Sequence, residues 1–240
     1  MTTAETMTTR VAERPRVLAA LDTVRDPELD EPITALGFVS SCRVSAAGDV
    51  EIRLRLPTYF CAPNFAFLMV ADAYDAVSAL PGVRSATVIL EDHFAADVIN
   101  AGVAARAGFA VSFAGEALGE LDDLRRIFVI KAVLAGTDQV VRPLGLDQEA
   151  LTVLTLGDLP PSVQRDRLCR RRAELGLRTD DAAPVLVDPE TGEPVARAAM
   201  PLHLGRARLT RVGIEANTGI CRGMLRHRYD SHGVAEEIES

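Results

Sequence analysis

The residue best suited to chemistry in this sequence is Cys61, which lies between a strand-like run and a helix-like run. Residues 50–56 alternate apolar and charged side chains, as a half-buried strand does. Residues 65–80 are apolar and rich in alanine, and Pro63 stands where the first turn of a helix tolerates proline. A helix N-terminus stabilises a thiolate, the form that binds metal or attacks an electrophile. Cys61 is therefore a candidate reactive sulfur, unless it is a small buried apolar residue.

Carboxylate and imidazole groups at the ends of other predicted elements are candidate partners of Cys61. Asp26 and Glu28 lie in an acidic turn after the first predicted helix, and His93 follows the third predicted strand. Thiolates suit iron-sulfur clusters, while carboxylates and imidazole suit ferrous iron. Cys61 flanked by Asp26, Glu28 or His93 would hold iron loosely, as a carrier must. The simpler alternatives are that both carboxylates cap a turn and that His93 is a solvated polar group.

Composition and charge exclude several classes of protein. The 240 residues suffice for two domains with buried cores, and a net charge of −8 without a basic patch argues against nucleic-acid binding. No run reaches the roughly twenty apolar residues of a membrane span, and the N-terminus lacks the apolar core of a signal peptide. We therefore expect a cytoplasmic protein without a membrane partner. The cysteines contain no C-x-x-C pair, which argues against a disulfide framework or a zinc ribbon.

The order of the predicted elements indicates a small α/β (α+β) sandwich, with helices against one face of a mixed sheet. The first two strands are expected to pair as a hairpin. We place a domain boundary near residue 115, which gives a first domain at 12–115 and a second domain at 116–240. The elements predicted in the first domain are a helix at 15–24, strands at 39–44 and 50–56, a helix at 65–80, a strand at 86–90 and a helix at 94–107.

The second domain is predicted to be a mostly helical α+β domain of unknown role. Its predicted elements are helices at 121–135 and 162–175, a hairpin around 185–195 and a strand at 208–214. The arginines of the second helix are expected to form a solvated face, and Cys169 among them is expected to be structural. A loop at 215–223 would place Cys221 near a turn. A second metal site there is a hypothesis, with His203, His227 and His232 as the other ligands.

Four short motifs together resemble the MIP18 family, also called the DUF59 or PaaD-like domain, over about residues 12–93. No single motif is specific, but their order and spacing agree with that family. The motifs are Asp26-Pro27-Glu28 after the first helix, Leu36-Gly37-Phe38-Val39, Leu56-Pro57-Thr58 with Cys61 three residues further on, and Pro81-Gly82-Val83 before a strand.

The resemblance implies a role in metalloprotein maturation. Members of this family assemble or deliver iron-sulfur clusters, and PaaD-like relatives accompany bacterial multicomponent oxygenases that contain a diiron centre. Carried over by position, the reactive cysteine is Cys61, the preceding threonine is Thr58, and the acidic turn is Asp26 and Glu28. The sequence departs from many relatives in having Pro57 before Thr58, and it lacks the cysteine-rich tail of PaaD-like proteins.

Three functions follow from these patterns. The first is an assembly factor that handles iron or an iron-sulfur cluster transiently through Cys61 for a client metalloenzyme, such as a diiron monooxygenase; a homodimer would bridge a cluster across its two-fold axis. The second is a metal-free chaperone or scaffold that binds the apo-oxygenase, with exposed Tyr59 and Phe60 docking the client. If these two rings are instead buried, they serve only in packing. The third, a cysteine enzyme, has only His93 as a base in the first domain, so we expect no enzyme.

Overall fold

The computed structural model describes residues 12–113 and 121–229, and it divides the chain into two compact units. Of the described residues, the first unit takes in 12–27, 31–113, 121 and 220–229. The second takes in Glu28–Asp30 and Asp122–Gly219. The predicted boundary at residue 115 lies outside the described residues, so the division into 12–115 and 116–240 stays a prediction.

The first unit is built on a three-stranded mixed sheet, which confirms the predicted α+β class. The strand order is β1-β2-β3; β1 and β2 pair antiparallel as the expected hairpin, and β2 and β3 pair parallel. The elements are α1 (Arg14–Leu21), β1 (Val39–Val44), β2 (Asp49–Leu54), α2 (Pro63–Ser78), β3 (Ser85–Leu90), α3 (Ala96–Ala104) and α4 (Phe109–Ser112).

Alternation along β2 decides which side of the sheet is buried. Val50, Ile52 and Leu54 are buried, and the charged residues between them are partly exposed. The hairpin turn needs glycine at Gly48, whose φ is +84° and where a Cβ would lie 2.4 Å from the carbonyl oxygen of Gly82. Helix α2 then provides the crossover that a parallel β2–β3 pair requires.

In the described residues of the second unit, the regular secondary structure is helical, and β pairing is limited to isolated bridges. Ser162 caps the helix that follows it, because its side chain accepts a hydrogen bond from the Arg165 N–H. Its α-helices are α5 (Leu121–Val141), α6 (Gln148–Val153), α7 (Val163–Glu174) and α8 (Met200–Tyr229), and short 3-10 segments lie between them. Helix α8 continues into the first unit.

Two predictions for this part of the chain are wrong. Residues 208–214 are not a strand, and residues 215–223 are not a loop, because both segments lie inside α8. Met200, His203 and Ala207 are buried at steps of three and four residues, which is the spacing of a buried helix face. These residues precede 208–214, the segment whose alternation suggested a strand, so that segment alone did not show the helical pattern. The predicted hairpin around 185–195 is reduced to one isolated bridge between Val187 and Pro194.

The arginines of α7 do not form a purely solvated face. The Arg172 side chain is fully buried and donates to the carbonyl oxygens of Pro184, at 2.9 Å, and Val185. Burial lowers the pKa of Arg172 to about 10. Arg171 and Arg167 pair with Asp30, which belongs to the same unit. The arginines therefore hold the second unit together, and the partly buried Cys169 packs against its core, as expected.

Within residues 12–113 and 121–229, no helix is both long enough and apolar enough to cross a lipid bilayer.

We expect replacement of Asp49 by asparagine to weaken the first unit at neutral pH. The Asp49 carboxylate joins the starts of β2 and β3, since it accepts hydrogen bonds from Arg84 Nε at 2.8 Å and Ser85 Oγ at 2.6 Å. These contacts lower the pKa of Asp49 to about 2. Its stabilising effect is therefore full above pH about 4 and is lost as pH falls towards 2.

Urea unfolding at several pH values tests this expectation. The Asp49→Asn variant should unfold at lower urea than the wild type at pH 7, and the difference should shrink as pH falls through the range from about 4 to 2. The exposed Asp123→Asn variant serves as the control. A difference that is the same at pH 7 and pH 2 would contradict this account.

Candidate functional site

Cys61 lies on the loop that joins β2 to α2. Ala62 is the N-cap of α2 and Pro63 occupies its first turn, so the cysteine stands immediately before the helix, as predicted. The side chain is partly exposed. Cys42 differs, because it is buried in β1 and burial raises the pKa of its thiol. Of the two cysteines near the sheet, Cys42 and Cys61, it is therefore Cys61 that an external partner can reach.

Thr58 places a hydroxyl group beside the sulfur. Its Oγ1 lies 3.3 Å from Cys61 Sγ, and the backbone N–H of Phe60 donates to the same oxygen at 3.2 Å. Either group can donate in this contact, since a hydroxyl and a thiol each carry one hydrogen and acceptor lone pairs. When the sulfur is a thiolate it has no hydrogen, so the hydroxyl is then the donor. The pair expected from the resemblance is therefore in contact.

His93 holds the Cys61 loop through the backbone. His93 Nε2 lies 2.7 Å from the Cys61 carbonyl oxygen, and the Ala95 N–H donates to Nδ1 at 3.2 Å. These partners assign a neutral ring with its hydrogen on Nε2, and burial lowers the pKa of His93 in support of that form. Both ring nitrogens are engaged, so a metal would have to displace one of these bonds. Its role as a ligand stays a prediction.

The C-terminal end of α8 contacts the ends of β2 and β3, which the sequence analysis missed. Arg228 donates to the carbonyl oxygens of Leu56, at 3.1 Å, and Asp92, at 2.7 Å. The Tyr229 hydroxyl lies 3.3 Å from a carboxylate oxygen of Asp92. Arg228 thus joins the two loops that carry Cys61 and His93. No local pattern signals this contact, because it spans more than 130 residues of sequence.

Three aromatic side chains form an exposed cluster beside the cysteine. Tyr59, Phe60 and Phe94 are 48%, 78% and 50% exposed, and their ring centroids lie 5.1 to 6.3 Å apart. The His93 ring lies 4.9 Å from that of Phe94. Aromatic rings this exposed do not gain the stabilisation that burial would give them. A contiguous exposed apolar surface of this kind marks an interaction site. We call Tyr59, Phe60 and Phe94 the aromatic cluster.

The predicted acidic ligands have structural partners. Asp26 is buried, and its backbone N–H donates to the Glu31 carbonyl oxygen at 3.0 Å across the turn. Glu28 belongs to the second unit and accepts a hydrogen bond from Asn217 Nδ2 at 3.2 Å. These contacts agree with a turn-forming role. A ligand role for either carboxylate stays a prediction.

Within residues 12–113 and 121–229, no three His, Cys, Asp or Glu side chains come close enough to hold a metal ion. Among the described residues of the first unit, Cys61, Asp26 and His93 therefore belong to no such group. Of the residues in the hypothetical second site, Cys221 and His227 lie on α8 in the first unit, and His203 is buried on α8 in the second unit. His232 lies outside the described residues.

The first unit is a small α+β domain that presents one cysteine on a strand-to-helix loop. The chain belongs to the iron-sulfur cluster assembly protein family, the MIP18 family, which residues 14–88 match. An uncharacterized protein of Methanocaldococcus jannaschii is 33% identical over 84 residues, which are 35% of this chain and 86% of that protein. No solved structure matches the chain. Membership supports a role in iron-sulfur cluster assembly in general, in a family of assembly factors rather than catalysts.

Replacing Thr58 by valine should slow alkylation of Cys61 by iodoacetamide at pH 7.5 about fivefold. Valine keeps the shape of threonine but removes a hydrogen bond to the sulfur worth about 1 kcal/mol. Peptide mass spectrometry measures the rate at each cysteine in the same sample, so Cys169 and Cys221 are internal controls. An unchanged rate at Cys61 would show that the hydroxyl does not act on the thiolate.

Replacing His93 by alanine should loosen the Cys61 loop. The change leaves the Cys61 carbonyl and the Ala95 N–H without their partner, at a cost of about 1–3 kcal/mol. Backbone hydrogen exchange should therefore rise at residues 58–62 and 94–96, while the β1–β2 hairpin keeps its protection. If exchange in both loops stays at the wild-type rate, His93 does not hold them.

Proposed function

We propose that this protein is an assembly factor that carries iron or an iron-sulfur cluster transiently through Cys61 and delivers it to a client metalloenzyme. The observation that carries the proposal is the contact of the partly exposed Cys61 sulfur with the Thr58 hydroxyl at 3.3 Å, in a chain of the iron-sulfur cluster assembly family. Iron-sulfur clusters are held by thiolates, and a hydroxyl donor stabilises a thiolate. Cluster or iron is the cargo of the protein.

The small number of ligands supports transient binding. A cluster takes about four thiolates, and within the described residues Cys61 has no group of three ligands around it. A closed set of protein ligands would retain the cargo, whereas one thiolate gives it up to a better site. The remaining ligands then come from outside the chain. We propose that a second copy supplies one of them, because a two-fold axis at Cys61 would bring two Thr58–Cys61 pairs to one cluster.

The client we propose is a metalloenzyme, and the specific candidate is a bacterial diiron monooxygenase. The resemblance of the Cys61 region to PaaD-like proteins supports that candidate. The aromatic cluster lies beside the cysteine in the same pair of loops. It offers apolar surface to a client, because Tyr59 and Phe60 are exposed. Docking through these rings would bring the client to the sulfur that holds the cargo.

The aromatic cluster also favours a second candidate function. A metal-free chaperone would hold the apo-enzyme open through Tyr59, Phe60 and Phe94, and it would need no ligand group. Cys61 would then serve only in the loop. The two functions differ in whether the protein carries iron that depends on this cysteine.

Anaerobic iron and sulfide analysis distinguishes the two functions. The protein is co-expressed with an iron-sulfur assembly system, as wild type and as Cys61→Ala, with Cys169→Ala as the control, because Cys169 is also partly exposed and belongs to neither candidate metal site. We expect iron in the wild type and in the control, and its loss in Cys61→Ala. Sulfide and the absorption spectrum distinguish a cluster from mononuclear iron, and native mass spectrometry shows whether two chains share it.

Two results would contradict the carrier. Iron retained in Cys61→Ala would mean that other residues hold it. No iron in any of the three proteins would favour the chaperone, and Phe60→Ala would then be expected to weaken binding to the apo-monooxygenase, with Phe113→Ala, which lies outside the aromatic cluster, as its control.

A further inference from the structure

The first unit contains a cavity of about 380 Å³ on which three arginines converge. The turn at residues 34–37 forms one wall, Arg55 enters from the end of β2, and Arg222 and Arg226 enter from the last part of α8. Gly37 permits the close packing of this wall, since its φ is +76° and a Cβ there would lie 3.3 Å from Leu225 Cδ2. Arg55 is the first residue of the loop that carries Cys61, but Cys61 itself does not line this arginine cavity.

Arg55 is held in place but lacks an anionic partner. Its guanidinium carbon lies 4.6 Å from the centre of the Tyr229 ring, a stacking distance that fixes the plane of the group. Its Nε is buried and has no hydrogen-bond acceptor among the described residues. A buried donor without an acceptor costs free energy, which a bound acceptor would recover.

The other charges around the cavity leave an excess of positive charge. Arg222 pairs with Glu31 at 2.6 Å, while Arg226 is exposed and makes no ion pair within the described part of the chain. The Asp22 carboxylate lies beside the cavity wall, where it accepts a hydrogen bond from the Thr34 hydroxyl at 2.5 Å and keeps its negative charge. Three guanidinium groups with the Glu31 and Asp22 carboxylates leave one positive charge in excess.

We infer that the arginine cavity binds a phosphate group, either as free phosphate or on a small organic molecule. A phosphate anion matches the excess of positive charge, and the planar guanidinium fork fits phosphate oxygens two at a time. The cavity volume lies within the range of small-molecule sites, and Leu36 and Leu225 line it with apolar surface. There is thus room for an organic group beside the phosphate.

Isothermal titration calorimetry of the full chain, in a buffer of low ionic strength without phosphate, tests the inference. The probes are inorganic phosphate, pyrophosphate and adenosine monophosphate, each titrated into wild type, Arg226→Ala and Arg208→Ala. Arg226 and Arg208 are both exposed arginines of α8, and only Arg226 lines the cavity. Their exposure means that neither change is expected to disturb folding.

We expect saturable binding of at least one probe to the wild type, with a Kd raised about tenfold in Arg226→Ala and unchanged in Arg208→Ala. A lower Kd for adenosine monophosphate than for phosphate identifies an organic phosphate as the ligand, and the reverse identifies free phosphate. Absence of binding by all three probes overturns the inference. So does an equal Kd in Arg226→Ala and the wild type.

Cys61→Ala distinguishes this site from the carrier function. It should bind the phosphate probe as the wild type does, because Cys61 does not line the cavity. Loss of iron with retained phosphate binding supports two separate sites. Loss of phosphate binding in this variant would overturn the assignment to the arginine cavity.

Discussion

The site depends on the parallel pairing of β2 with β3. Parallel strands end at the same edge of a sheet, so the loop after Leu54 and the loop after Leu90 emerge side by side. That single constraint allows His93 to reach the Cys61 carbonyl and the Phe94 N–H to reach the Tyr59 carbonyl. Without the crossover through α2, the cysteine loop would have no neighbour to hold its backbone.

The contacts around Cys61 mostly fix its position and leave the sulfur itself lightly engaged. His93 binds the carbonyl oxygen of the cysteine, and Arg228 binds the carbonyl oxygen of Leu56 earlier in the same loop. Among the described residues, the Thr58 hydroxyl is the group within hydrogen-bond distance of the sulfur. These contacts orient the cysteine side chain but leave it partly exposed to a ligand. Such an arrangement suits a group that takes up and releases a ligand.

Charge is used differently in the two units. In the second unit arginines make structural contacts: Arg172 donates hydrogen bonds to buried carbonyl groups, and Arg211 pairs with Asp138 at 2.5 Å. In the first unit Arg55 and Arg226 line a cavity without an anionic partner among the described residues. Arginines such as Arg84 and Arg228 also stabilise the first unit, but there the same residue type leaves unbalanced positive charge at a concave surface.

The sequence alone determined the three strands and helices α1 to α3 of the first unit and the place of Cys61, because alternation along β2 and the proline at the start of α2 are local signals. It also supported the family, through four motifs in order. The helical state of residues 208–214 was decided by burial of Met200, His203 and Ala207 outside that window. Only the tertiary structure showed the contact of His93 with the Cys61 loop, the contact of Arg228 with two strand ends and the convergence of three arginines. These contacts join residues far apart in sequence, and the periodicity of a short segment carries no information about the partner that it meets.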